Sequence, residues 1–479
     1  MINRRNLLCG LSPAAMAPKV SAQQPYGSNA LIGDHPDFEI VSANSPNAFH
    51  YSRSFLKDKL IVPARRIMCK TPHAVARAIE YVRENEAGFS IRSTGHCFAG
   101  HSQHSDLVID TSRLSYVKPL DERYETVEIG AGTWLGTVYR ALADHDRTIC
   151  GGTYDSVGAG GTALGGGLGY YARQNGLLID HVLAYTMVDA RGEIFRASAD
   201  ENADLFWALR GGGGGSFGVV TSFEVRTIHM PRLTSINILW TVPNQEALKI
   251  AYLWQKWSGA GERRTTTYLQ IIRYVNGTFI LHLTGTSSDV RDVVLRNLKQ
   301  LLGNEFAFRD EHVIDGSLKA SHQSLLGDHH QLAPAKVLVS SDMIATEISP
   351  DGMLGLFEKM LEYPADTVVL NFEALGGAVR DVGVAETAYP HREAAYAIYY
   401  ISDIRRPELV EQRTRALDEF RSTIKPFTTD GIYVNYPQPG LDNWQKRYWG
   451  VNFERLVEVK RKWDSGNVFN HAQSVPLQF

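Results

Sequence analysis

The sequence predicts an α+β protein, and three observations lead to that class. Short β-type and amphipathic helical segments alternate over residues 60–230, with glycine-rich loops between them. Longer strand patterns with intervening helices follow over residues 231–430, the pattern of an antiparallel sheet with helices on one side. The glycines cluster in Gly151–Gly169 and Gly211–Gly215 instead of being spread evenly. A chain of 479 residues suffices for two or three domains and a large buried core. Hydrophobic content of 44% and charged content of 21% are those of a soluble globular protein. With 49 Lys+Arg against 52 Asp+Glu, no basic field points to nucleic acid. No internal apolar run is long enough to cross a bilayer.

Met1–Gln23 reads as an export signal. Arg4-Arg5 precede a weakly apolar Leu7–Pro18, and Val20-Ser21-Ala22 offers a small-residue cleavage site. Twin arginines before a weak apolar segment, with Lys19 near the cleavage site, resemble a twin-arginine signal and predict a periplasmic or secreted protein, the alternative being a cytoplasmic one with an ordinary tail. Cleavage would remove Cys9 and leave Cys69, Cys97 and Cys150, an odd set without a disulfide framework. Residues 24–58 show little periodicity and read as a lead-in arm.

From Leu60 the pattern sharpens. Ile61-Val62 is a short strand candidate, and Thr71 caps a helix opened by Pro72 and carrying Val75, Ala78, Ile79 and Val82. Phe89–Arg92, Leu107–Asp110 and Thr126–Ile129 are strands, the last followed by a helix through Leu135, Val138, Tyr139 and Leu142. Val182–Val188 and Ile194–Ala197 flank Ala190-Arg191-Gly192-Glu193 as a hairpin. Ala203–Leu209 is a short helix, and Ser216–Val225 returns as a strand. In the next region strands are expected at Ser235–Val242, Thr266–Tyr274, Thr278–Thr284 and Thr367–Phe372, with Asn276-Gly277 as a hairpin turn. Amphipathic helices are expected at Asp289–Leu302 and Gly352–Leu361. The tail holds Tyr433-Val434-Asn435-Tyr436, a helix with Phe453, Leu456, Val459 and Trp463, and a turn at Asp464–Asn467.

Two stretches carry the chemistry. Ile91–Ser102 packs small residues and the cationic Arg92 around His96, and small residues let a backbone approach a ligand with its N–H groups free. Gly158-Ala159-Gly160-Gly161-Thr162-Ala163 satisfies a dinucleotide pattern with Asp180 downstream. Four more glycines follow where that pattern needs a helix, and no Gly-Lys-[Ser/Thr] follows, so the stretch reads as an extended glycine-lined loop for a pyrophosphate. The spacing of His96, His101 and His104 beside Cys97 does not suit a zinc site, and no metal is expected.

Arg92-Ser93-Thr94-Gly95-His96, then Gly152-Thr153 through Val157–Gly161 to Leu164–Gly167, resemble the FAD-linked oxidases of the berberine-bridge-enzyme-like group. Asp204–Gly212, Ser216–Val220, Tyr433–Tyr436, Gly450–Asn452, Arg455-Leu456, Asn467–Phe469 and Gln473-Ser474 continue the likeness in order. The resemblance implies a two-lobed FAD-binding domain of the para-cresol methylhydroxylase type (PCMH) over 59–230. It also implies an inserted substrate domain over 231–430 and a closing segment over 431–479.

It further implies that His96 carries FAD covalently. The expected cofactor contacts are Arg92, Ser93, Thr94, Gly95, Cys97 and Ser102 in the first loop. In the second they are Gly152, Thr153, Ser156, Val157, Gly160, Gly161, Leu164 and Gly165, with Val220 and Asn435 from elsewhere. Many members add a cysteinyl link after the Gly-Thr pair, where this chain has Tyr154, so a single histidyl link is expected. Tyr154, Leu168 and Tyr433 are expected in the active-site wall, and Tyr436 as the catalytic base. The implied reaction moves a hydride from a small alcohol or amine to flavin N5, with O2 as the second substrate and H2O2 as product. The alternatives are a flavin dehydrogenase with another acceptor, or a flavin-holding protein without turnover.

A free tyrosine with pKa about 10 is a poor base at neutral pH, so Tyr436 needs a positive or hydrogen-bonding neighbour. The sequence does not identify it. The substrate is not legible either, and the aromatics of Tyr389–Tyr400 either line the pocket or pack a strand.

Overall fold

The computed structural model describes residues 36–479 except 57–59, 261–262, 304–311, 327–335 and 366. The expected export signal, Met1–Gln23, lies outside the described residues. The lead-in arm is not featureless where it is described: Phe38–Ser42 is a strand and Ala48–Ser52 a helical turn. Phe38–Ser42 pairs antiparallel with Arg65–Cys69, which gives its edge a partner.

Arg65–Cys69 is the strand that sequence periodicity placed at Ile61-Val62. Pro63 interrupts that earlier stretch and lacks the N–H a ladder needs. Two arginines disguise the true strand, whose Arg66 is buried against Asp110 at 2.6 Å. The helix Pro72–Asn85 begins as its residues predict, with the Thr71 side chain accepting from the Ala74 N–H at 3.1 Å. It is the crossover that makes Phe89–Arg92 and Arg65–Cys69 both parallel to Leu107–Asp110, in the sheet order 38–42, 65–69, 107–110, 89–92. That geometry carries the chain off the end of Phe89–Arg92 into the His96 loop.

The second sheet is antiparallel, in the order Val117–Pro119, Thr126–Gly130, Val219–Arg226, Val182–Val188, Ile194–Ser198. The returning strand starts at Val219, three residues later than the sequence suggests. Its core packs Val127, Ile129, Leu135, Val138, Phe223 and Val225 with Trp449, Leu456 and Val457 of the C-terminal segment, so the last residues close the same core.

One glycine-rich expectation is corrected. Ala159–Gly165 is helical, not an extended loop. The helix is almost entirely buried, and the Leu164 carbonyl accepts from the N–H groups of both Gly211 and Gly213. Tertiary packing here overrides the weak helix propensity of glycine.

Residues 232–403 build a seven-stranded antiparallel sheet. Its order is Val313–Ser317, Arg232–Pro243, Thr278–Ser287, Thr265–Arg273, Val369–Ala374, Tyr396–Asp403, Val337–Ile344. Asn276 and Gly277 both have positive φ, 64° and 73°, as the two-residue turn requires. Helices Asn244–Ala260, Arg291–Leu302, Pro350–Glu362 and Val410–Ile424 pack on one face, where Ile236, Ile271, Leu281, Leu370, Phe372 and Ile398 meet Trp254, Leu298, Leu356 and Phe420. The two-residue period of the strands then puts Gln270, His282, Asn371, Glu373 and Tyr399 on the opposite face. The strand expected at Thr367–Phe372 runs over Val369–Ala374, and that shift brings Glu373 into the sheet. No helix among the described residues is long and apolar enough to cross a membrane.

Candidate active site

The first loop is fixed from behind. Arg92 is buried, with its Nε 3.6 Å from Asp110 and a hydrogen bond from its guanidinium to the Arg53 carbonyl. Burial pushes its pKa down to about 10 against the pull of Asp110. Gly95, at φ 85°, lies directly over that guanidinium, so a side chain there would strike it at 2.6 Å. Arg92 therefore props the loop from beneath. Thr94 is buried, and the Cys97 sulfur lies against the N–H groups of Ala99, Gly100, His101 and Ser102, although burial still raises the thiol.

The two loops meet at His96. Its Nε2 shares a 2.9 Å hydrogen bond with the Ser156 hydroxyl, and Phe55 stacks on its ring at 4.9 Å. Burial first, and the Arg92 charge second, lower the His96 pKa to about 3, so the imidazole is neutral at physiological pH. Ser93 donates to the Ala131 carbonyl at 2.8 Å, and Gly158 lies so close that an added Cβ would stand 2.2 Å from the Ser93 hydroxyl. Gly160 donates its N–H to the same carbonyl, whereas Gly161 has open space where a side chain would be. The Ser102 hydroxyl is buried without a partner among the described residues. The Gly152 carbonyl accepts from Tyr139, Val157 accepts from the Leu135 N–H, and neighbouring Thr153 is partly buried.

The three histidines take separate partners: His96 with Ser156, His101 with Gln473 at 3.1 Å, and His104 with the Asp106 N–H at 3.1 Å. No group of three metal-ligating side chains occurs among the described residues. Cys69, Cys97 and Cys150 are free thiols. His101 also stacks on His471 at 4.4 Å, which ties the first loop to the C-terminal segment.

That segment reaches the glycine helix as well. Asn435 donates to the Gly161 carbonyl at 3.3 Å and to the Tyr433 hydroxyl at 3.1 Å, and Gly165 leaves room for the amide where a Cβ would sit 2.2 Å from its oxygen. Tyr433 accepts from the Gly167 N–H at 2.8 Å. Tyr433 and Leu168, expected in the wall, are buried in a core cluster with Tyr389 and Met343, and they back Tyr436 from behind. Val220, expected at the cofactor, is buried in the core of the second sheet. Tyr154 is half-buried, its ring 5.7 Å from that of His96 and 6.0 Å from that of Phe55.

The neighbour of Tyr436 is a carboxylate. Its hydroxyl donates to Glu373 at 3.0 and 3.3 Å to the two oxygens. Burial pushes the Glu373 pKa up to about 8, against the lowering effect of the Tyr436 hydrogen bond. Burial raises Tyr436 too, and the Glu373 charge raises it further, so an isolated phenolate is not what the site favours. Tyr399 lies over Tyr436 at 4.9 Å and Phe98 at 6.0 Å. Of the aromatics in Tyr389–Tyr400, Tyr396 and Tyr400 thus pack the core, and Tyr399 faces the site. Sequence reading missed Glu373 and Phe55, and it left Tyr399 open among the aromatics of Tyr389–Tyr400. A signal existed for the first, because Asn371 and Glu373 are polar residues two apart in an apolar strand.

These residues fit a flat, anionic cofactor: a neutral histidine at the junction, main chain exposed at Gly161, and glycines docked where no Cβ fits. A family profile described as "FAD binding domain" matches residues 63–198, and one described as "Berberine and berberine like" matches 432–476. The chain is 29% identical to the uncharacterized FAD-linked oxidoreductase YvdP of Bacillus subtilis (strain 168), over 87% of this chain and 93% of that protein. It is 27% identical to monolignol oxidoreductase AtBBE-like 13 of Arabidopsis thaliana, over 84% and 82%. Berberine bridge enzyme from Eschscholzia californica superposes with a TM-score of 0.82 at 24% identity, covering 92% of this chain and 97% of the other. A chitooligosaccharide oxidase superposes at 0.81 with 23% identity, covering 91% and 97%. The structural likenesses bear on the fold.

Proposed function

We propose that this chain is a berberine-bridge-enzyme-like FAD-linked oxidoreductase, and within that group an exported oxidase of small alcohols or amines, with FAD bonded to His96 alone. Bound FAD would supply the hydride acceptor at N5 and pass electrons to O2, giving H2O2. The observation that carries the reading is the hydrogen bond from Tyr436 to Glu373 beside the loop that holds His96.

The chain's own residues divide the work. His96, neutral and oriented by Ser156, has a lone pair free to hold the cofactor covalently. Tyr154 has no sulfur with which to make a second link. The first loop, the Ala159–Gly165 helix and Asn435 would hold the cofactor. A substrate O–H or N–H hydrogen-bonds to the Tyr436 oxygen. As the substrate proton moves to Tyr436, the Tyr436 proton moves to Glu373, so the phenol need not exist as a free anion. This arrangement differs from the positively charged neighbour considered above: the hydrogen-bonding partner is an acceptor that removes the proton. The rings of Phe98 and Tyr399 pack beside Tyr436 and fix its orientation.

Anaerobic mixing with a panel of alcohols and amines tests the reading. At least one compound should bleach the flavin, and readmitted air should restore the colour with release of H2O2. Absence of bleaching across the panel would contradict it. Bleaching without peroxide would make the chain a dehydrogenase.

A further inference from the structure

The sheet face that presents Glu373 also presents two buried polar groups without partners. Tyr268, at 9% exposure, stands directly opposite Glu373 in the ladder, and its hydroxyl makes no hydrogen bond among the described residues. Asn371, at 6% exposure, is two residues from Glu373 on the same face. Its oxygen accepts from Gln270 at 2.8 Å, and its NH2 group makes no hydrogen bond among the described residues. Buried donors are almost always satisfied, and leaving one unmade is costly. Glu373, whose two oxygens lie 3.0 and 3.3 Å from the Tyr436 hydroxyl, accepts from neither of these donors. Tyr268 is near enough to Tyr436 that ionising one would raise the pKa of the other. Tyr170 packs against the Tyr268 ring at 5.0 Å and is itself tethered to Thr284 at 3.0 Å. Directly opposed side chains in an antiparallel pair lie about 5 Å apart at Cβ. The free donors therefore sit one neighbouring group away from the proton acceptor.

We propose that Tyr268 and Asn371 are specificity-determining residues that bind a second oxygen of the substrate, on the carbon next to the one oxidised. The preferred substrate is then a vicinal diol or polyol. One hydroxyl gives its proton toward Tyr436 and Glu373, and its neighbour accepts from the Tyr268 hydroxyl and the Asn371 amide. This rests on the alcohol-oxidising reading above. A mono-alcohol leaves both donors buried and unpaired, and that penalty is what discriminates.

The test pairs each vicinal diol with its mono-alcohol, in benzylic, cyclic and linear series (1-phenylethane-1,2-diol with 1-phenylethanol, for example). Binding to the anaerobic holoenzyme is read from the perturbed flavin absorption, and flavin reduction is read separately. In at least one series the wild type should bind the diol about tenfold or more tightly than the mono-alcohol. Tyr268→Phe keeps the packed ring, and Asn371→Ala provides an independent variant. Each should cut the preference to within about threefold and leave mono-alcohol binding in place. Equal binding of diol and mono-alcohol in every series, failure of every diol to bind, or retention of the preference in both variants would overturn the inference. Flavin reduction by mono-alcohols without a diol preference would overturn it and leave the redox reading standing. Tyr268-dependent diol binding without flavin reduction by any compound would overturn the redox reading alone.

Discussion

Tyr436 and Glu373, 63 positions apart in the sequence, share a hydrogen bond in which the phenol donates to the carboxylate at 3.0 Å. The tyrosine comes from the closing segment and the glutamate from a strand of the seven-stranded sheet, so the pair exists only when both are in place. Tyr436→Phe and Glu373→Gln should each slow anaerobic flavin reduction by about 10²–10⁴-fold, the usual span for a positioned acid or base. Substrate binding should change far less, because the interaction is needed in the transition state. Rapid-mixing absorbance measurements that find a tightly reduced affinity and an unchanged reduction rate would reassign both residues to binding.

His96 has a prediction independent of turnover. Acid-precipitated wild-type protein should stay yellow, and His96→Ala should release its flavin to the supernatant. Ser156→Ala removes the hydrogen bond to Nε2 and should lower the fraction of flavin retained in the pellet. A colourless wild-type pellet would show that no covalent bond forms.

Gly158 sits where the two glycine-rich loops touch. Gly158→Ala would place a carbon 2.2 Å from the Ser93 hydroxyl and 3.0 Å from that of Thr94. Relief requires Ser93 to leave the Ala131 carbonyl, at a cost of about 1–3 kcal/mol for overpacking. The ratio of flavin to protein absorbance should fall in the purified variant, with the fold retained by circular dichroism.

Local chemistry made much of this molecule legible from its residues. Thr71-Pro72 capped a helix as expected, and Asn276-Gly277 turned a hairpin, because both signals act within four residues. The His96 loop and the closing segment were recognisable for the same reason, as short ordered motifs. Glu373, Phe55 and Tyr268 were not, since their roles depend on which strands neighbour one another, and register between distant segments is not written locally. The helix at Ala159–Gly165 was missed because packing supplies the stability that its glycines lack. Arg92 was expected at the cofactor from the resemblance of its motif, and its buried contact with Asp110 was not legible because it joins separate strands.

The motif at the chain's end has a structural role that is open to measurement. Lys460 is fully buried and donates to Asp464 and to the carbonyls of Ser216 and Phe469, while Asp464 accepts from the N–H groups of Val468 and Phe469. Lys460→Met leaves the Asp464 carboxylate buried without its cation and should cost about 3–5 kcal/mol. Thermal and denaturant unfolding should show the loss, and flavin reduction in the surviving folded fraction should be close to normal.

Glu373 also couples stability to pH. Its folded pKa, about 8, lies above the ordinary 4.5, so the folded protein holds a proton that the unfolded chain releases. The contribution of this group therefore falls as pH rises from about 4.5 to about 8 and is constant outside that window. Glu373→Gln, which has nothing to titrate, should flatten that part of the wild-type dependence in equilibrium unfolding measured across pH.

The most direct test of the proton path is the pH dependence of anaerobic flavin reduction at saturating substrate. Below about 8 the Glu373 carboxyl is protonated and cannot accept, so the wild-type rate should rise about tenfold per pH unit and level off near pH 8. Glu373→Gln should reduce the flavin slowly and without that limb. An undiminished limb with the same midpoint in Glu373→Gln would contradict the account, because another group would then be taking the proton.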